Sequence, residues 1–273
     1  MKQKRQWILC AAALLGLLGL VLRWYVLQNC MDQAHMLLPG SGALTALLIY
    51  ILLSAGIMAA LIWGTNKVPG GEDAFSRAPG WLFAGLAGAV AVCLGSLAQL
   101  LSRPDLDAFG RYVALGGILS GVLMALSALL RGKPSKILFW TSVVPGVWAL
   151  AKLIWNFKDW SFDPMVVDFC LRLSALICAT IALYLHSGFP LGWGEKRFTI
   201  FWGLCAGIFT LAALPDYFMR WGFTAPELLI LFGMAAYGVT GALQLLRDAP
   251  QSATPPEPEP DTDTEPTSTP PTP

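Results

Sequence analysis

Apolar residues along the chain fall into eight runs, roughly 7–27, 42–63, 81–101, 111–130, 137–157, 164–187, 198–214 and 226–246. A membrane-crossing helix needs about 20 mostly apolar residues, and each run is close to that length. The pattern predicts an all-α protein, a polytopic transmembrane bundle of about eight spans within residues 1–248. The connecting stretches are short except for "NCMDQAHMLLPGSG" and "GTNKVPGGEDAFSRAPG". Consecutive spans are therefore expected to pack as four antiparallel hairpins. The last residues, 249–273, contain no aromatic or large aliphatic side chain. Such a segment cannot bury enough apolar surface to offset its ordering entropy, so a disordered Pro/Thr/acidic tail is expected there.

Composition sharpens this picture. The chain is 56% hydrophobic and 13% charged, with a mean hydropathy of +0.61; soluble domains carry about 25% charged residues. Lipid must therefore cover most of the surface, and the bilayer is the first expected partner. A formal net charge of +1 gives no electrostatic footprint for nucleic acid. The first run follows Lys2, Lys4 and Arg5 and has no small-x-small cleavage site after it, which reads as an uncleaved anchor. Lys and Arg favour cytoplasmic loops. "RGKPSK" at 131–136 holds cations with no acid among them, so both termini are expected in the cytoplasm. As a whole the chain looks like a bacterial multi-spanning protein of the inner (cytoplasmic) membrane.

Chemistry is sparse. The cysteines form no CxxC, and only Cys30 looks exposed; a catalytic search finds no HExxH, no GxSxG and no phosphate-binding glycine loop. Neither an enzyme, a cofactor nor a metal is expected. His186 is taken as an interfacial residue, and the tryptophans, Trp155 among them, as interfacial belts. Gly117–Gly121 and Gly203–Gly207 have the GxxxG spacing that permits close helix contact, expected here within the bundle.

Charges near the span ends offer more. Asp is followed four residues later by Arg at Asp73–Arg77, Asp107–Arg111, Asp168–Arg172 and Asp216–Arg220, a spacing that lets the two side chains pair on one helix face. Asp163-Pro164 is a good start for the sixth span. Arg172 then lies about 12 Å along its axis, at about 1.5 Å per residue. Lys152 falls at a similar depth on the preceding span. Lys152, Asp168 and Arg172 are therefore the candidate polar site, either a lock between two helices or the wall of a ligand cavity. Pro145 and Gly146, inside the fifth run, are a candidate helix break, because proline removes a backbone bond and broken helices mark transporter sites. Thr224-Ala225-Pro226-Glu227 opens the last span as a capping box.

The function read from these features is non-catalytic binding or permeation of a small solute, at a site opening outward. The alternative is an interaction protein, a sensor or assembly subunit, offering its acidic tail to a protein partner in the cytoplasm. The topology is open to direct test. Reporter fusions after Leu101, Phe157 and Arg247 are expected to report outside, outside and inside; an externally accessible C-terminus would overturn the even number of spans.

Overall fold

The structure is a computed structural model. It describes residues 2–31, 41–63, 69–70, 75, 79–103, 105–131, 136–161, 169–219 and 225–246. Among them are the helices α1 (Lys2–Asn29), α2 (Ala43–Trp63), α3 (Pro79–Ser102), α4 (Ala108–Leu130), α5 (Lys136–Ser161), α6 (Cys170–His186), α7 (Lys196–Ala213), α8 (Pro215–Met219) and α9 (Ala225–Leu246). All but the short α8 are long and apolar enough to cross a membrane, giving 8 spans. The protein is an all-α, multi-pass membrane bundle. The expected tail lies outside the described residues.

Lipid offers helices no hydrophobic reason to associate, so a membrane bundle coheres by close packing and internal polar contacts. The core sits on the later spans. In the most apolar stretches of the last two spans 67% of residues are buried, against 22% in the first. Small side chains line these inner faces: Ala175, Ala179 and Ala182 on α6, Ala206 and Ala212 on α7, Ala235 and Ala242 on α9. Leu14, Leu17, Leu18 and Val21 of α1 face outward instead, as lipid-covered positions should.

Helices α3 and α9 approach closely. A methyl group added at Gly88 would lie 2.8 Å from the Gly233 carbonyl oxygen, and one at Gly233 would lie 2.6 Å from that of Gly88. The glycines of both predicted GxxxG pairs also serve contacts inside the chain. Gly121 of α4 lies against the α3 backbone at Ala89, and Gly203 of α7 against the α9 backbone at Gly238. Polar side chains tie other helices together: Tyr50 Oη of α2 donates to the Leu15 carbonyl of α1 at 2.9 Å, and Trp148 Nε1 of α5 to that of Val113 on α4 at 2.8 Å.

Two expectations change here. Cys10 is exposed and Cys30 only half-buried, because Cys10 sits on the lipid side of α1. The sixth span begins at Cys170, with Phe169 at its N-cap, and Pro164 lies outside the described residues. Arg172 therefore stands in the first turn of α6, closer to its end than the count from Pro164 implied.

The end of the bundle that holds the start of α1 is called the near end, and the other the far end. At the near end, Pro69–Gly70 pairs antiparallel with Gly194–Glu195, joining the α2–α3 connection to that between α6 and α7. Phe75 packs there on Phe189 at a centroid distance of 4.7 Å and stacks on His186 at 5.9 Å.

Gly233→Leu drives a side chain into the α3 backbone and is expected to cost about 1–3 kcal/mol or more. Gly56 of α2 has open space where a methyl would go, so Gly56→Leu should leave the melting temperature in detergent almost unchanged. Equal melting of the two variants would mean that the α3–α9 contact is not what holds the bundle.

Candidate functional site

Asp216 organises the far end. The chain leaves α7 through a turn at Leu214, and Pro215 opens α8 with Asp216 in its first turn. This short helix directs the carboxylate into the bundle instead of toward water. One oxygen, Oδ1, accepts from Arg23 Nε of α1 at 2.7 Å, and Oδ2 lies 3.4 Å from Arg172 Nε of α6. Side-chain exposures are 0% for Arg23, 0% for Asp216 and 1% for Arg172. Arg172 also lies over two rings, its guanidinium carbon 5.1 Å from the Phe169 centroid and 5.0 Å from that of Tyr217. A guanidinium suits both kinds of contact, pairing with a carboxylate and lying over aromatic faces.

Lys152 of α5 lies beside this cluster. Its Nζ donates to Gln99 Oε1 of α3 at 3.1 Å and sits 4.3 Å from the Trp155 ring centroid. Lys152, Asn156, Arg172, Tyr217 and Glu227, with Leu176, Ile230 and Leu231, wall a small cavity of about 20 Å³. Glu227, in the first turn of α9, pairs at 3.5 Å with Arg103 beyond the end of α3. Beside it, Asp107 caps α4. Its Oδ1 accepts from the Gly110 amide at 2.6 Å and from Trp155 Nε1 at 3.3 Å, and Oδ2 lies 3.6 Å from Lys158 Nζ. The Gly110 amide above all, with the indole and the ammonium, holds the Asp107 carboxyl below the usual carboxylate range.

No family model, curated protein or solved structure matches this chain. The site must therefore be read from its own geometry.

Of the expected site residues, Lys152 and Arg172 line the same cavity, and Asp168 lies outside the described residues. The carboxylate seen at Arg172 is Asp216, which comes from the other side of the sequence. Pro145 lies inside α5, which is helical from Lys136 to Ser161 without interruption. A methyl at Gly146 would lie 3.3 Å from Tyr184 Cα, so the glycine brings α5 close to α6. In the Asp107–Arg111 pair, Asp107 is the cap already described, and Arg111 Nε donates to the Leu106 carbonyl at 3.0 Å. Asp73, Arg77 and Arg220 lie outside the described residues.

Sequence reasoning left out Arg23, Gln99, Asn156 and Trp155 as site members and gave Glu227 only a capping role. Their shared signal was position: each is polar or amphipathic within a few turns of the same end of the bundle. His186 also differs from its interfacial reading. It is buried, with Nδ1 2.6 Å from the Ala182 carbonyl oxygen and Nε2 directed at the α9 backbone beside Gly241.

Buried hydroxyls also lie in the bundle interior between the two ends. Ser96 lies one helical turn from Gln99 on α3, and Ser120 and Ser127 lie on the buried face of α4. Ser127 Oγ is 3.1 Å from Ser142 Oγ of α5 and accepts from Tyr237 Oη of α9 at 3.2 Å. Arg131 is bonded to Gln244 and lies over the rings of Phe75 and Tyr237. The buried Ser96 and Ser120 hydroxyls have no protein partner among the described residues, a situation that buried water ordinarily meets. Among the described residues, no three His, Cys, Asp or Glu gather into a metal site.

Asp216→Asn takes the shared anion from two buried guanidiniums and is expected to cost about 3–5 kcal/mol. Arg23→Gln and Arg172→Gln each leave one pair standing and should cost less. Thermal denaturation of the three variants in one detergent measures the order, and an undiminished Asp216→Asn protein would show that the carboxylate does not hold the far end together.

Proposed function

We propose that the protein binds a small polar solute in the far-end cavity and provides for its permeation, without catalysing a reaction on it. The carrying observation is the cavity itself. Side chains from α5, α6, α8 and α9 meet around a small cavity of about 20 Å³, room for a water-sized molecule. Its wall joins charged and amide groups to an aliphatic patch, the mixture that gives a small-molecule site both orientation and affinity. Charged side chains within a membrane bundle are costly and mark solute or ion paths. The buried Ser96, Ser120 and Ser127 hydroxyls support passage beyond binding alone, because they offer hydrogen-bonding groups within the bundle interior. In the orientation favoured by the Lys and Arg distribution, the cavity faces outward from the inner membrane. The rival role as a sensor or assembly subunit rests on the acidic tail, which lies outside the described residues.

A solute panel spanning anions, cations, zwitterions and neutral polar molecules is expected to contain at least one that raises the melting temperature of the purified protein. Leu231→Trp, which fills the apolar wall and keeps every charge, should remove that effect. Uptake of the stabilising solute into proteoliposomes then separates permeation from binding. Failure of the whole panel, or a stabilisation that survives Leu231→Trp, would overturn this reading.

A further inference from the structure

The size of the far-end cavity and the state of the groups around it also select among solutes, an inference that rests on the solute-binding reading above. A space of about 20 Å³ takes one molecule of water's size. Its charged groups are already engaged. Lys152 is held by Gln99 and the Trp155 ring, Arg172 by Asp216 and two further rings, and Glu227 by Arg103. Asn156 differs. It lines the cavity at 7% exposure, and no described residue hydrogen-bonds its side-chain amide. An amide offers both donors and an acceptor, and leaving them unmet inside a bundle is costly.

Two further groups in the same state lie deeper in the bundle. Ser96, one turn from Gln99 on α3, and Ser120 of α4 are fully buried, and neither hydroxyl has a partner among the described residues. A methyl group at Gly117 would run into Ser96 Oγ. The glycine thus leaves that hydroxyl its room against α4, and Ser120 follows one turn on along the same face.

We infer that the solute is an uncharged molecule of water's size that both donates and accepts hydrogen bonds, water or ammonia, and that Asn156 is its contact in the cavity. Such a molecule meets the unbonded amide with either of its roles, and it can meet the Ser96 and Ser120 hydroxyls in the same way. A larger neutral molecule exceeds the space. An ion would have to shed its hydration shell to enter, at a cost that a neutral molecule avoids. A cation would also face the fixed charges of Lys152 and Arg172, the kind of barrier by which a basic side chain excludes cations from a pore. An anion would find those two groups already taken up by their own partners.

Ammonia can be titrated where water cannot. The melting temperature of the full-length protein in phosphatidylcholine nanodiscs is measured with ammonia, methylamine or urea over a pH series, against the same protein without solute at each pH. In proteoliposomes, ammonia entry and osmotic shrinkage are compared with protein-free vesicles. Ammonia is expected to stabilise the protein and to enter faster than through lipid alone, both effects growing with pH as ammonium gives up its proton. Methylamine and urea should do neither. Asn156→Leu is expected to abolish the stabilisation and the extra entry. Ser96→Ala, which removes a hydroxyl without a protein partner, should slow entry and leave the melting temperature of the solute-free protein unchanged. If Asn156→Leu does not fold, Ser96→Ala and the wild-type series decide. Faster osmotic shrinkage beside the ammonia effect adds water as a solute; its absence names ammonia alone. An equal effect of methylamine or urea overturns the size limit and leaves the solute site standing. An effect that follows ammonium overturns the neutral class. Ammonia effects that survive both variants place the molecule elsewhere and overturn the inference. Absence of any ammonia effect on the wild type overturns it too, and failure of the wider panel as well removes the site.

Discussion

The far end depends on one carboxylate. Asp216 is buried between Arg23 of α1 and Arg172 of α6, so three parts of the chain far apart in sequence meet at its two oxygens. Burying these charges without partners would cost several kcal/mol for each ion. The arrangement is therefore close to obligatory once the arginines lie inside the bundle. It fixes the peripheral α1 against the inner α6 and α7, where packing alone would leave rotation and sliding cheap. Leu214 keeps helical dihedrals, so α8 continues the path of α7 to the far end and carries Asp216 there.

Close backbone contact supplies the other half of the cohesion. Gly88 and Gly233 let α3 and α9 approach until carbonyl oxygens occupy the space that methyl groups would fill. The consequence reaches the site. α3 brings Gln99 to Lys152, α9 brings Glu227, Ile230 and Leu231 to the cavity, and both are positioned by the same crossing. Small residues in the middle of the bundle thus set the spacing of large polar ones at its end.

The spans were legible in the sequence because lipid imposes a simple rule. A helix must present apolar side chains over a fixed length whatever its neighbours are, so the runs could be read one at a time. The partners of buried charges obey no such local rule. Four-residue spacing within a helix pointed Arg172 to Asp168, while the carboxylate seen on it comes from α8, and helix adjacency is not written in the distance between residues. Trp155 shows the same difficulty. Near the end of a run it reads as a belt residue, yet neighbouring α4 offers Asp107 to its indole nitrogen, and this contact with Lys152 above its ring turns it inward. Pro145 erred in the opposite direction. Proline removes one hydrogen bond but need not open a helix, and with Gly146 packed on Tyr184 α5 passes through unbroken.

The two ends of the bundle manage polarity by opposite means, and the difference bears on function. At the near end Arg131 is satisfied by one amide and two ring faces, while Phe75, Phe189 and His186 fill the surrounding space with aromatic surface. That arrangement is dense and joins the loops that meet there. At the far end, charged groups of both signs surround a space that aliphatic side chains could have filled. Well-packed apolar residues often equal or exceed a buried ion cluster in stability, so stability alone gives no reason to keep both the ions and the cavity. Conformational specificity accounts for the Arg23–Asp216–Arg172 group, since it sets where α1 stands. Lys152 is held separately, tying α5 to α3 through Gln99 and lying over the Trp155 ring. The polar wall of the cavity thus serves helix cohesion at both Arg172 and Lys152, and the proposed solute would meet groups that already hold the bundle together.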